Sequence, residues 1–134
     1  MFFSPGLEQL DPALIAFVKC HVTSPSKWEV LRTLANQDGA WTRTDELARA
    51  THRPIAEVAA ALVDLERDGV VELQPSLVPA DVRCRLPVDE PTSIVLHRLI
   101  QAATHSQEVR EIIAAHLQHV RFQSHALEAS SALA

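Results

Sequence analysis

Histidine is the residue type whose spacing in this chain most suggests chemistry. Five of the seven histidines fall between His97 and His125, and His105, His116 and His119 follow the pattern H-x10-H-x2-H. On a helix, eleven residues is close to three turns, so His105 and His116 would share a face with His119 one turn on. Such a set offers imidazole nitrogens to zinc, although a closed zinc site takes four ligands. Ordinary surface or interface histidines are the competing reading, and His116 also fits an apolar seam as a buried polar residue. No cofactor is therefore expected, with zinc at His105, His116 and His119 as the alternative. Cys20 and Cys84 form no CxxC or Cys/His cluster, which predicts reduced thiols rather than a disulfide scaffold. A Gly-rich phosphate loop, HExxH and GxSxG are all missing, so no enzyme is expected.

The elements that must position these side chains are mainly helical. The 134 residues are 47% hydrophobic, enough for one core, with 3 Gly, no Tyr and 4% aromatics, where strands and hairpins draw on both. Asp11-Pro12 and Ser24-Pro25 each set a capping residue before a first-turn proline. They predict helices over 12–22 and from 25 until Gly39, a natural stop. A short extended piece at 40–43 precedes a brief helix capped by Thr44. Pro54 opens a further helix with Ile55, Val58, Ala61, Leu62 and Leu65 on one face, ended by Gly69. Residues 70–73 and 82–86 have strand character, the second alternating apolar with charged. Asp89-Glu90-Pro91 starts a long helical tract, with a kink or break favoured at Thr104-His105-Ser106. The first residues lack the basic start and apolar core of a signal peptide, and the longest apolar run is far short of a membrane span. A soluble, cytoplasmic protein with no membrane partner is expected.

Thr44-Asp45-Glu46-Leu47-Ala48, followed by Ile55-Ala56-Glu57-Val58 and Leu62, Leu65, Gly69-Val70-Val71, resembles the winged helix-turn-helix of MarR- and ArsR-type bacterial regulators. The resemblance spans roughly residues 25 to 87. It implies a fold that is mainly α with a small β-wing, a winged helix-turn-helix with flanking N- and C-terminal dimerisation helices. The chain then divides into an N-terminal helix (1–24), the winged module (25–88), a long C-terminal helical tract (89–123) and a flexible tail (124–134). In such proteins the helix at 54–68 lies in the major groove of double-stranded DNA, with the wing near the backbone. Carried over, the DNA contacts are Arg43, Thr44, Thr51, His52 and Arg53 at the helix entrances, Glu57 and Arg67 on the exposed face, and Arg83 and Arg85 on the wing. In the zinc sensors of this group an Asp ligand precedes the first His by two residues; here that position is Ala103.

Charge opposes the DNA reading. The chain has a formal net charge of −5, and residues 26–88 hold eight bases against ten acids where phosphate binding wants the opposite sign. The exposed helix face offers Glu57, Ala60 and Asp64 beside Arg53 and Arg67, while base edges favour Arg, Lys, Asn and Gln. The wing loop Gln74-Pro75-Ser76-Leu77-Val78-Pro79-Ala80 has no Lys or Arg. Three functions follow: a homodimeric DNA-binding transcriptional regulator, a winged-helix module that binds a protein partner with weak or no DNA binding, and a zinc-responsive regulator. In the C-terminal tract, Val95, Leu99, Ala102, Ser106, Val109, Ile113, His116 and Val120 alternate spacings of four and three. That is an a/d seam, and it predicts a homodimer formed through Val95, Leu99, Ala102, Val109, Ile113, His116 and Val120.

Overall fold

A computed structural model describes residues 10–88 and 90–133, with side chains as far as Arg121. The expectations for residues 1–9, Asp89 and Ala134 lie outside the described residues.

The two predicted N-caps form. The Asp11 carboxylate accepts from the Ala13 N–H at 2.9 Å and opens α1 (Pro12–His21). The Ser24 hydroxyl accepts from the Lys27 N–H at 3.2 Å and opens α2 (Pro25–Ala35). α2 stops short of Gly39 because two consecutive residues, Asp38 (φ 52°) and Gly39 (φ 79°), turn the chain left-handed. Then come β1 (Thr42–Arg43), α3 (Thr44–Thr51), α4 (Ile55–Arg67), β2 (Glu72–Gln74), a 3-10 turn (Pro79–Asp81), β3 (Arg83–Arg85), α5 (Pro91–His105) and α6 (Gln107–Leu133). The strands form an antiparallel sheet in the order β1-β3-β2, with Cys84 opposite both Thr42 and Leu73.

α3 and α4 each end in the same backbone device. The His52 and Arg53 N–H groups bond back to Arg49 O and Ala48 O, with His52 left-handed at φ 56°. The Gly69 and Val70 N–H groups bond back to Glu66 O and Leu65 O at 2.9 Å, with Gly69 at φ 76°. Both are Schellman closures. The first fixes the turn between α3 and α4, and the second aims the chain into the wing. Pro54 is the N-cap of α4 rather than its first helical residue. Thr44 departs further from expectation. It caps nothing: it starts α3 and is fully buried, with its hydroxyl donating to Val82 O at 2.8 Å.

The core joins α2, α3 and α4 through Val30, Leu31, Leu34, Leu47, Val58, Leu62 and Leu65, all at 1% exposure or less. Burying each such side chain contributes about 1.5–3 kcal/mol. α1 packs on α5 and extends the same core through Phe17, Val18, Leu96 and Leu99.

The C-terminal tract breaks in two. Ser106 is extended (φ −133°, ψ 116°), its hydroxyl accepts from the Val109 N–H at 3.3 Å, and Arg110 donates to Ala103 O and Thr104 O at 2.7 and 3.2 Å. A capping serine for α6 and an arginine on the last carbonyls of α5 thus stabilise the interruption. This divides the expected dimer seam. Leu99, Ile113 and His116 are buried within the single chain at 0%, 2% and 4% exposure. Val95 and Val109 pack half-buried against the same core, and Ala102 and Val120 are also half-buried. With the helix redirected at Ser106, the alternating spacing no longer traces one stripe. α6 continues through residues 124–133, where a flexible tail was expected.

Candidate functional site

The face that a winged helix turns to its target consists here of α4, the turn before it and the wing. All of its expected arginines except Arg83 are held by carboxylates of the same chain. Arg53 is clamped between α2 and α4: Nε donates to Glu29 at 2.7 Å and an Nη to Glu57 at 3.0 Å. The Glu57 carboxylate also accepts from the Ser26 hydroxyl. That hydroxyl first, and Arg53 second, hold the Glu57 carboxyl below the usual carboxylate range, and Glu29 holds Arg53 more firmly protonated. Arg43 bridges Asp81 at 2.5 Å and Asp45 at 3.2 Å. Arg67 pairs with Asp64, which also meets Lys27 at 3.4 Å. Arg85 pairs with Glu72 at 2.9 Å and lies over the Trp41 ring, 4.4 Å from its centroid.

Of the five arginines expected to contact DNA, only Arg83 is exposed without an ion pair among the described residues. Thr44 is fully buried with its hydroxyl on Val82 O, which removes it from the contact set. Thr51 spends its hydroxyl on Leu47 O at 2.7 Å. His52 is exposed at the turn. Short-range pairs such as Arg53–Glu57 and Arg67–Asp64 follow helical spacing and are visible in sequence. Ser26, Glu29, Asp81 and Trp41 belong to the site but are brought to it by the fold across 24 to 44 positions, and no local pattern marks them.

Where the cations are neutralised, apolar groups are left facing outward. Ile55 is 40% exposed, Val63 57%, Val78 52%, and Leu77 at the wing tip is fully exposed. Between α4 and the wing lies a groove of about 380 Å³, lined mostly by carbon. Such a face suits an apolar partner more than a phosphate backbone.

The histidine set does not assemble. His105 is exposed on the last turn of α5 against Gln101, while His116 is on the far side of the break with Nε2 bonded to Val22 O at 2.9 Å. Burial holds the His116 pKa below the ordinary histidine value. The expected shared face for His105, His116 and His119 is therefore corrected. Among the described residues no group of three or more His, Cys, Asp or Glu could hold a metal ion. A second cavity, about 440 Å³, lies between α2, α5 and α6 with Trp28, Ile113 and Leu117 in its wall and Arg32 and Arg110 beside it. No helix among the described residues is long and apolar enough to cross a membrane.

Residues 29–76, from α2 to the start of the wing loop, match the family described as the DprA winged helix domain. The chain is also similar to NadR, in its crystal structure with 4-hydroxyphenylacetate: 22% identity over 96% of this chain and 86% of that one, with a TM-score of 0.48. Curated protein sequences contain no match. Six helices and a three-stranded antiparallel wing among the described residues, with the matched segment, define a winged-helix fold.

Proposed function

We propose that this chain is a winged-helix binding module that engages a protein partner through its α4–wing face, with weak or no DNA binding. The observation that carries this reading is the pairing of Arg43, Arg53, Arg67 and Arg85 with carboxylates of the same chain. A phosphate backbone would have to displace those carboxylates, and each exchange of one anion for another gains little. The outward apolar groups of α4 and the wing supply the surface that burial on a partner would reward. Free Cys20 and Cys84 fit a reducing compartment, and so a cytoplasmic setting.

The second reading is a homodimeric DNA-binding transcriptional regulator. It is favoured by the helix-turn-helix itself, whose α3, Schellman turn and α4 put His52, Arg53 and the start of α4 at the surface. Fluorescence anisotropy on a random-sequence duplex separates the two. The proposed function predicts no saturable binding at about 50 mM salt, where a phosphate-contacting protein binds most tightly. Binding there that weakens by about 10³-fold or more towards 200 mM salt would establish the second reading instead.

A further inference from the structure

The acidity of this chain is concentrated in one stretch. Residues 54–82, which form α4, β2 and the wing loop, hold six carboxylates (Glu57, Asp64, Glu66, Asp68, Glu72 and Asp81) against the single cation Arg67. That equals the formal net charge of the whole chain, −5, since the remaining residues carry eleven acids and eleven bases. Glu57, Asp64, Glu72 and Asp81 pair with Arg53, Arg67, Arg85 and Arg43, so the charge left beside the apolar groove for a partner is that of Glu66. Ala59, Leu62 and Val63 of α4 face Leu73, Pro79 and Val82 of the wing across about 380 Å³. Glu66 is its one charged lining residue and makes no ion pair among the described residues.

Two kinds of side chain complement this arrangement. An apolar group entering the groove removes carbon surface from water on both sides. A cation beside it meets Glu66 and the negative potential of the module, which also speeds its approach. A phosphate meets repulsion and finds no cation in the groove. We infer that the α4–wing groove docks a cationic apolar peptide segment of a partner protein, with a bulky apolar side chain between α4 and the wing and a Lys or Arg against Glu66. This rests on the protein-docking function above and adds the chemistry of the partner.

The test is selection of a random-peptide phage library on the immobilised full chain, followed by anisotropy on synthetic copies of the enriched peptides. The expected peptides join a bulky apolar residue to Lys or Arg. Their affinity falls at least about tenfold in Glu66→Lys, which reverses the charge, and in Val63→Asp, which keeps the acidity but puts a charge at the groove. Both positions are exposed, and an unchanged thermal melt checks folding of each variant. Enriched peptides without cations, or affinities indifferent to both substitutions, overturn the inference and leave protein docking standing. Failure to enrich any peptide overturns it too, and duplex DNA binding by the same preparation then overturns the docking function beneath it.

Discussion

Replacing His116 with alanine tests how the C-terminal helices are held. His116 is 4% exposed, and its Nε2–H donates to the carbonyl of Val22, itself fully buried at the end of α1. The substitution removes that bond, leaves a buried carbonyl without its side-chain donor, and empties the ring's volume. Together these cost roughly 2–4 kcal/mol. Unfolding entropy of about 2.1 cal/mol/K per residue makes 1 kcal/mol worth about 3–4 °C in a chain of 134 residues. The expected drop in Tm near pH 8 is therefore about 7–14 °C. The sign of the pH effect follows from the depressed pKa of the folded state. Above about pH 6.5 His116 is neutral in both states and its contribution is fully present. As the pH falls through that value and then through the lower folded-state pKa, the unfolded chain takes up a proton that the folded one resists, and the contribution is lost. Burial lowers the pKa of His21 as well, even beside Asp68, but His21 is present in both proteins. The gap between wild type and His116→Ala should thus narrow as the pH falls below about 6.5. The measurement is a set of differential scanning fluorimetry melts across pH, repeated over about a hundredfold range of protein concentration. A gap that does not narrow in acid refutes burial of the neutral ring. A gap that changes with protein concentration refutes in-chain burial and returns His116 to a dimer seam.

Further outcomes follow from the backbone and the thiols. His52→Gly should stabilise the protein by about 0.5–1 kcal/mol in chemical denaturation, since φ 56° strains any residue with a Cβ. Gly69→Ala should cost about 1 kcal/mol in the same assay through backbone strain alone, because nothing lies within 4 Å of the added methyl. Cys20 is exposed, whereas burial pushes the Cys84 thiol up to about 12. One thiol should therefore react promptly with Ellman's reagent in the native protein, and both in denaturant; two fast thiols in native buffer would contradict the burial of Cys84.

Most of the fold was legible because its signals are local. Asp11-Pro12, Ser24-Pro25 and Gly69 announce their boundaries through capping and positive φ, and the face of Val58, Leu62 and Leu65 follows helical spacing. The seam was legible as spacing, which records periodicity and not what covers the face: Leu99, Ile113 and His116 have a/d positions and are buried in their own chain. Thr44 differs in a related way, since a threonine before Asp45 and Glu46 has the composition of a cap while its hydroxyl donates to Val82 O just before β3. The acidity of α4 was visible as composition. What the acids do was not, because Glu29 and Asp81 reach the arginines, and Ser26 reaches Glu57, only through the packing of α2 and the wing loop.

In the proposed function those carboxylates silence the arginines around α4. The most direct test is duplex DNA binding by a Glu29→Gln/Asp45→Asn/Glu57→Gln/Asp81→Asn variant beside the wild type, by anisotropy at about 50 mM salt. Releasing Arg53 and Arg43 should create salt-sensitive binding that the wild type lacks, with a log–log salt slope steeper by about 0.9 for each phosphate gained. A wild type that binds as tightly as the variant, with the same slope, would contradict the account.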